Sequence, residues 1–328
     1  MYKMIVAFIV LVTAKGCEQH ITSNSPTVEW NLVGTVGPGY YSAASFVDRT
    51  HGWVVGDSGR IFSSSDGGSS WNAQQSGVKS FLHCVGFTSL SHGCIGGGDN
   101  SIGLTTNGGG SWTWSHPPGE SRRTFMGVSF VGDNAGWIVD NFGGILHTED
   151  GGSTWTAQPS GVTTAVTSIQ FLDGQQGWAT GVSRRVLHTT DGGTSWTVIN
   201  LDSLNYGATA VFDRILFVNS SIGWIALNTG ASSIMSHPNP MVATSDGGKT
   251  WQLQATPEGN LVSALAFPNA SVGWAAAQDG ILSTADGGNN WTWQVKLPGA
   301  IFVDMCLVGQ SRCWALNWTG KVYRAELQ

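Results

Sequence analysis

The sequence predicts an all-β chain folded as a seven-bladed β-propeller, and three observations carry that expectation. An eight-residue box recurs six times, as SSDGGSSW (64–71), TTNGGGSW (105–112), TEDGGSTW (148–155), TTDGGTSW (189–196), TSDGGKTW (244–251) and TADGGNNW (284–291). A second element recurs seven times, from FVDRTHGW (46–53) to LVGQSRCW (307–314). The acid positions of the boxes are separated by 41, 43, 41, 55 and 40 residues. A feature built this often is architecture before it is chemistry, and a four-stranded unit at this period is a propeller blade.

Taken in order, each unit reads as a strand ending in Phe, a turn, and a strand opening on Gly-Trp. A second turn, a strand such as GRIFSSS (59–65), the box, and a strand starting at the box Trp complete it. The seventh unit stops after GKVYRAELQ (320–328) with three strands, while TVEWNLVG (27–34) places Trp30 where a box Trp would stand. The N-terminal strand is therefore expected to complete the last blade, closing the ring and leaving no open sheet edge at the seam.

In the box, the acid or amide (Asp66, Asn107, Asp150, Asp191, Asp246, Asp286) can accept backbone N–H groups two or three positions on. Its two glycines can take positive φ, and its Trp returns into the space between sheets. Glycine-rich acidic turns can also hold metals, phosphates or sugars. Six copies in equivalent places favour a folding staple, with TTDGGTSW (189–196) no exception.

Composition sets the class. With 41% hydrophobic and 11% charged residues in 328, the chain can bury a large core, and 46 glycines at fixed places in the period are turn residues. A net charge of −6 argues against nucleic acid as partner. The opening MYKMIVAFIVLVTAKGC reads as an export leader too short to span a membrane. Its Cys17 resembles a lipidated lipoprotein cysteine, with an ordinary cleaved signal and an uncleaved anchor as the other readings. The expected organisation is a leader at 1–17, a linker at 18–26 and the propeller at 27–328. Cys84 with Cys94, and Cys306 with Cys313, bracket hairpins as disulfides or as buried thiols. Metal-ligand spacing, P-loop, nucleophile elbow and dinucleotide fingerprint are all lacking, so no metal or cofactor is called for.

The loops joining strands 2–3 and 4–1 share one face and vary between units, whereas the boxes and the 1–2 turns share the other. Variable loops on a rigid frame are where binding is expected. Five of the nine arginines fall in one sector there: Arg122 and Arg123 entering blade 3, Arg184 and Arg185 in blade 4, and Arg214 at the start of blade 5. The same sector carries the longer segments 200–210 and 228–241, with Tyr206, His237 and Asn239. Together they read as a polar rim suited to carboxylate, phosphate or acidic-peptide partners, the bland alternative being solvated arginines. On the binding reading, exchanging Arg122, Arg123, Arg184 and Arg185 for Glu removes binding without lowering stability. Trp318, outside both repeated elements, either meets a ligand or covers a blade end.

The FVDxxxGW elements, the TxDGGxxW boxes, the seven-blade count and the leader together resemble the photosystem II assembly and stability factor family, over residues 27–328. The resemblance implies a non-enzymatic propeller that helps assemble a membrane complex by binding a protein client, apparently through an arginine-rich patch, and acts as a monomer. The same box marks sialidases and xyloglucanases. That alternative would draw paired carboxylates from Asp57, Asp99, Asp140 and Asp279, which recur at one place in the blade as turn acids do.

Overall fold

The computed structural model describes residues 28–119, 122–204, 211–228, 240–259 and 261–326. These form seven four-stranded antiparallel sheets arranged as blades around a central channel. Blade 1 is Tyr41–Phe46, Gly52–Gly56, Ile61–Ser64 and Asn72–Gln74, and five further blades repeat it in sequence order. In blade 7, Phe302–Val308, Arg312–Asn317 and Lys321–Glu326 are completed by Trp30–Thr35. Trp30 pairs with Ala325 and Asn31 with Arg324, the register that puts Trp30 where Trp71 stands in blade 1.

The repeated Phe, Gly and Trp are one device. Phe closes the first strand opposite the Gly that opens the second, as in Phe171 and Gly177, and its ring lies over that glycine. A Cβ on Gly177 would sit 2.5 Å from the Phe171 ring. The Trp after the glycine then stacks on the Phe of the next blade, at 3.6 Å for Trp53 on Phe87, 3.5 Å for Trp137 on Phe171 and 4.0 Å for Trp314 on Phe46. The box Trp of that next blade meets the same Phe edge-on, as Trp196 does at 5.8 Å. Except for Phe130, each of these phenylalanines is thus held between two indoles from two blades, one face to face and one edge-on.

The box ties blade to blade as well. The Trp137 indole N–H donates to the carbonyl of Gly192, the first box glycine of blade 4, at 3.0 Å, and Trp53, Trp224 and Trp314 do likewise to Gly108, Gly287 and Gly67. Both glycines of every box have positive φ, between 70° and 93°. Asp66 accepts the N–H groups of Ser69 and Ser70, and Asp150, Asp191 and Asp246 accept those of Thr154, Ser195 and Thr250. The reach is therefore three and four positions on. Of the expected two or three, three is met at Asp66, while two is not, because the Ser or Thr hydroxyl two residues before the acid takes the second glycine N–H instead.

Around the channel, the inner edges of the first strands have no strand partner, so polar side chains of neighbouring blades serve them. Ser45 accepts the Phe87 N–H, Ser129 that of Phe171 and Asp304 that of Ala44. The four described cysteines are free: Cys84 stands opposite Gly96 and Cys94 opposite Gly86, diagonal rather than facing. Cys313 faces Leu307. Burial pushes the Cys84 thiol up to about 12 and raises those of Cys94, Cys306 and Cys313, so these side chains serve packing.

Candidate functional site

Hydrogen bonds settle which loops share a face. The first glycine N–H of each box donates to its blade's 1–2 turn, from Gly67 to Thr50 through Gly287 to Ser271. On the opposite face, each described 2–3 loop donates to the residue just ahead of its own first strand: Asp57 to Tyr40, Gly98 to Phe81, Asn141 to Thr124, Val182 to Ala165, Gln278 to Leu261 and Trp318 to Ile301. The six accepting residues ring the channel mouth. The variable loops are thus a tethered platform.

The arginine sector divides when placed on it. Arg122 is exposed in the loop entering blade 3, and Arg184 and Arg185 lie in and beside the 2–3 loop of blade 4, half-buried, with Arg184 at φ 54°. Arg123 turns inward instead. Its Nε is 2.9 Å from Oδ2 of fully buried Asp140, whose Oδ1 accepts the N–H groups of Phe142 and Gly144. Removing one partner of such a buried pair strands the other charge, which costs about 3–5 kcal/mol. Arg123 is therefore a structural residue, contrary to its expected place on the binding rim.

Arg214 also leaves the rim. It lies mid-strand in Val211–Phe217, the innermost strand of blade 5, and its Nη2 is 3.3 Å from Oδ1 of Asp304 in the innermost strand of blade 7. The pair bridges the channel between blades two apart. Burial raises the Asp304 carboxyl pKa against the pull of Arg214, while Asp304 raises that of Arg214. The sequence pattern placed Arg214 near the start of blade 5, and the structure places it within the first strand, just past a β-bulge that recurs at the same point in the other blades.

Tyr206, His237, Asn239 and Cys17 lie outside the described residues, as do most of the two longer segments. Three of the four turn acids are held in turns as their recurrence suggested. Asp57 accepts the Tyr40 N–H and pairs with Arg60, Asp279 accepts the Gly299 N–H, and Asp140 is held as above. Among the described residues no cluster of His, Cys, Asp and Glu could hold a metal ion.

Apart from Trp318, sequence reasoning missed the apolar half of the platform. Among the described residues seven large hydrophobic side chains are exposed, and five are on this face: Tyr40, Phe81, Phe142, Ile301 and Trp318. The Tyr40 and Trp318 rings meet at 4.4 Å with a 32° tilt, and the Phe81 ring lies 4.6 Å from the His83 ring. The signal was present in the positions of Tyr40, Phe81 and Ile301, each one residue ahead of a first strand, but a periodic reading assigns such residues to the core.

With this geometry in place, the chain can be compared with known proteins. Residues 69–159 and 159–305 match the family described as Photosynthesis system II assembly factor YCF48. No curated relative matches the sequence. Among solved structures the chain is similar to one of YCF48 bound to D1 peptide, with a TM-score of 0.73 at 20% identity, covering 92% of this chain and 97% of that one. It is similar to YCF48 from Cyanidioschyzon merolae at TM-score 0.70 and 19% identity, covering 90% and 98%. It also resembles a GH74 enzyme from Niastella koreensis at TM-score 0.67 and 15% identity, covering 90% of this chain but 53% of that one.

Proposed function

Since the chain belongs to the Photosynthesis system II assembly factor YCF48 family and has its seven-bladed fold, we propose that it is an exported, non-enzymatic binding protein that holds an extended segment of a membrane-complex subunit during assembly. The observation that carries this reading is the family match, which runs from the box of blade 1 to the first strand of blade 7. The D1 peptide in the YCF48 structure supports a peptide as the class of client. A tether through lipidated Cys17 and a place outside the cytoplasm belong to the same proposal.

The client would lie across the platform with its carboxylates on Arg122, Arg184 and Arg185, since guanidinium forks bind carboxylates with two parallel N–H···O bonds. The 2–3 loop of blade 4 is tethered by the Val182 N–H donating to the Ala165 carbonyl, which lowers the ordering cost on the protein's side.

The test is binding of fluorescein-labelled D1 peptide, followed by anisotropy, to the wild type and to Arg122→Glu/Arg185→Glu. Binding about tenfold weaker or worse in the variant, with an unchanged melting temperature, is the expected result. Wild-type protein that binds the D1 peptide no better than a scrambled version would end this reading of the client. Recovery of the client complex from detergent-solubilised membranes of the host then names the subunit.

A further inference from the structure

The exposed apolar side chains gather in an arc. Ile301, Tyr40 and Phe81 are equivalent positions in blades 7, 1 and 2, each one residue before an innermost strand, and Trp318 joins the first two by donating its N–H to the Ile301 carbonyl at 2.8 Å and packing its ring at a tilt against Tyr40. The equivalent residues of blades 3–6 are Thr124, Ala165, Val211 and Leu261. At this position of the blade the large exposed side chains are confined to blades 7, 1 and 2, while exposed Phe142 stands apart in the 2–3 loop of blade 3. Tyr40 is 49% exposed, Ile301 48%, Trp318 39% and Phe81 37%. Single exposed hydrophobic side chains need no explanation, but contiguous ones rimmed by charge mark interaction sites.

We propose that this arc is a subsite for one aromatic or branched aliphatic side chain of an acidic, extended peptide, the same strand that the arginine loops of blades 3 and 4 hold by its carboxylates. It rests on the peptide-binding reading above and adds the second half of the specificity. The tilted Tyr40–Trp318 pair is a preformed apolar surface fixed by main-chain hydrogen bonds, so an incoming ring packs against it with little ordering cost. Cations border it, with exposed Lys79 two residues before Phe81 and exposed Lys321 three residues after Trp318. A peptide carrying acids on either side of its apolar anchor is therefore complementary to both features. Asp57, Asp99, Asp202, Glu258 and Asp279 lie in loops of the same face, so the cations stand as separate points among acids, an arrangement that the spaced carboxylates of a strand can match and the continuous negative charge of an anionic lipid surface cannot.

Two fluorescein-labelled peptides of about 12 residues, ~40 Å when extended, test this. One alternates Asp with Ser and Gly, and the other has a central Phe in the same background. Wild type should prefer the Phe peptide by about tenfold, the scale of one well-placed aromatic pair. Tyr40→Ala/Trp318→Ala should abolish that preference while keeping its affinity for the acidic peptide, which also shows that it is folded. Trp318→Phe should retain most of the preference, and Arg122→Glu/Arg185→Glu should weaken both peptides alike. A preference that survives in Tyr40→Ala/Trp318→Ala overturns the subsite. Wild type that binds neither peptide refutes the peptide-binding reading itself. Sedimentation with phosphatidylglycerol vesicles that is lost in Tyr40→Ala/Trp318→Ala, beside equal binding of the two peptides, would make the occupant a lipid surface and also overturn the proposal.

Discussion

At the residue scale, the box acid does electrostatic work that pH can read. The Ser70 hydroxyl and N–H hold the Asp66 carboxyl at about 2, and Thr154, Ser195 and Thr250 do the same for Asp150, Asp191 and Asp246. The ordinary value in the unfolded chain is 3.8, so the folded state binds its protons later than the unfolded state does. That contribution is fully present above about pH 4 and disappears as pH falls through about 2. Urea midpoints measured between pH 7 and 2 should fall across this window. The fall should be shallower in Asp191→Asn, which keeps an acceptor without the charge, as Asn107 does in the second box. An unchanged slope in Asp191→Asn would show that the carboxylate adds nothing beyond the hydrogen bond.

At the element scale, the blade interface rests on matched pairs rather than on single residues. Wherever the first strand ends in Phe the second opens on Gly beside it, while blade 7 has Leu307 opposite Cys313. A smaller apolar residue makes room for a Cβ. Gly177→Ala should therefore cost about 1–3 kcal/mol through overpacking against Phe171. Gly177→Cys should be less damaging when combined with Phe171→Leu, a coupling that a double-mutant cycle in urea measures. Strict additivity would mean that the ring and the glycine do not act as one unit. The same matching explains the two irregular interfaces. Cys94 replaces Trp in blade 2, and the His92 ring meets Phe130 edge-on at 6.0 Å. Trp274 faces the blade that has no box, and its indole packs against Trp30 at 6.5 Å.

At the scale of the whole molecule, closure of the ring depends on one strand far away in sequence. Trp30–Thr35 covers the third strand of blade 7, and Arg324 and Trp314 bind the Gly67 carbonyl in blade 1 across the same seam. Deleting residues 28–35 should expose the edge of Lys321–Glu326, lower the urea midpoint and produce oligomers in size-exclusion chromatography, because an unpaired edge recruits strands. A monomeric deletion variant with an unchanged midpoint would show that the seam is not held by this strand. The ring also sets what the site can be. The repeat, the blade count, the Trp30 register and the box as a staple were legible in the sequence, because each depends on spacing within one unit or on identity with its neighbours. The inward turn of Arg123 onto Asp140, the Arg214–Asp304 bridge and the aromatic arc of Tyr40, Phe81, Ile301 and Trp318 were decided only by the tertiary structure. Each joins residues from different strands or blades, and closing the ring brings them together at distances that no local period encodes.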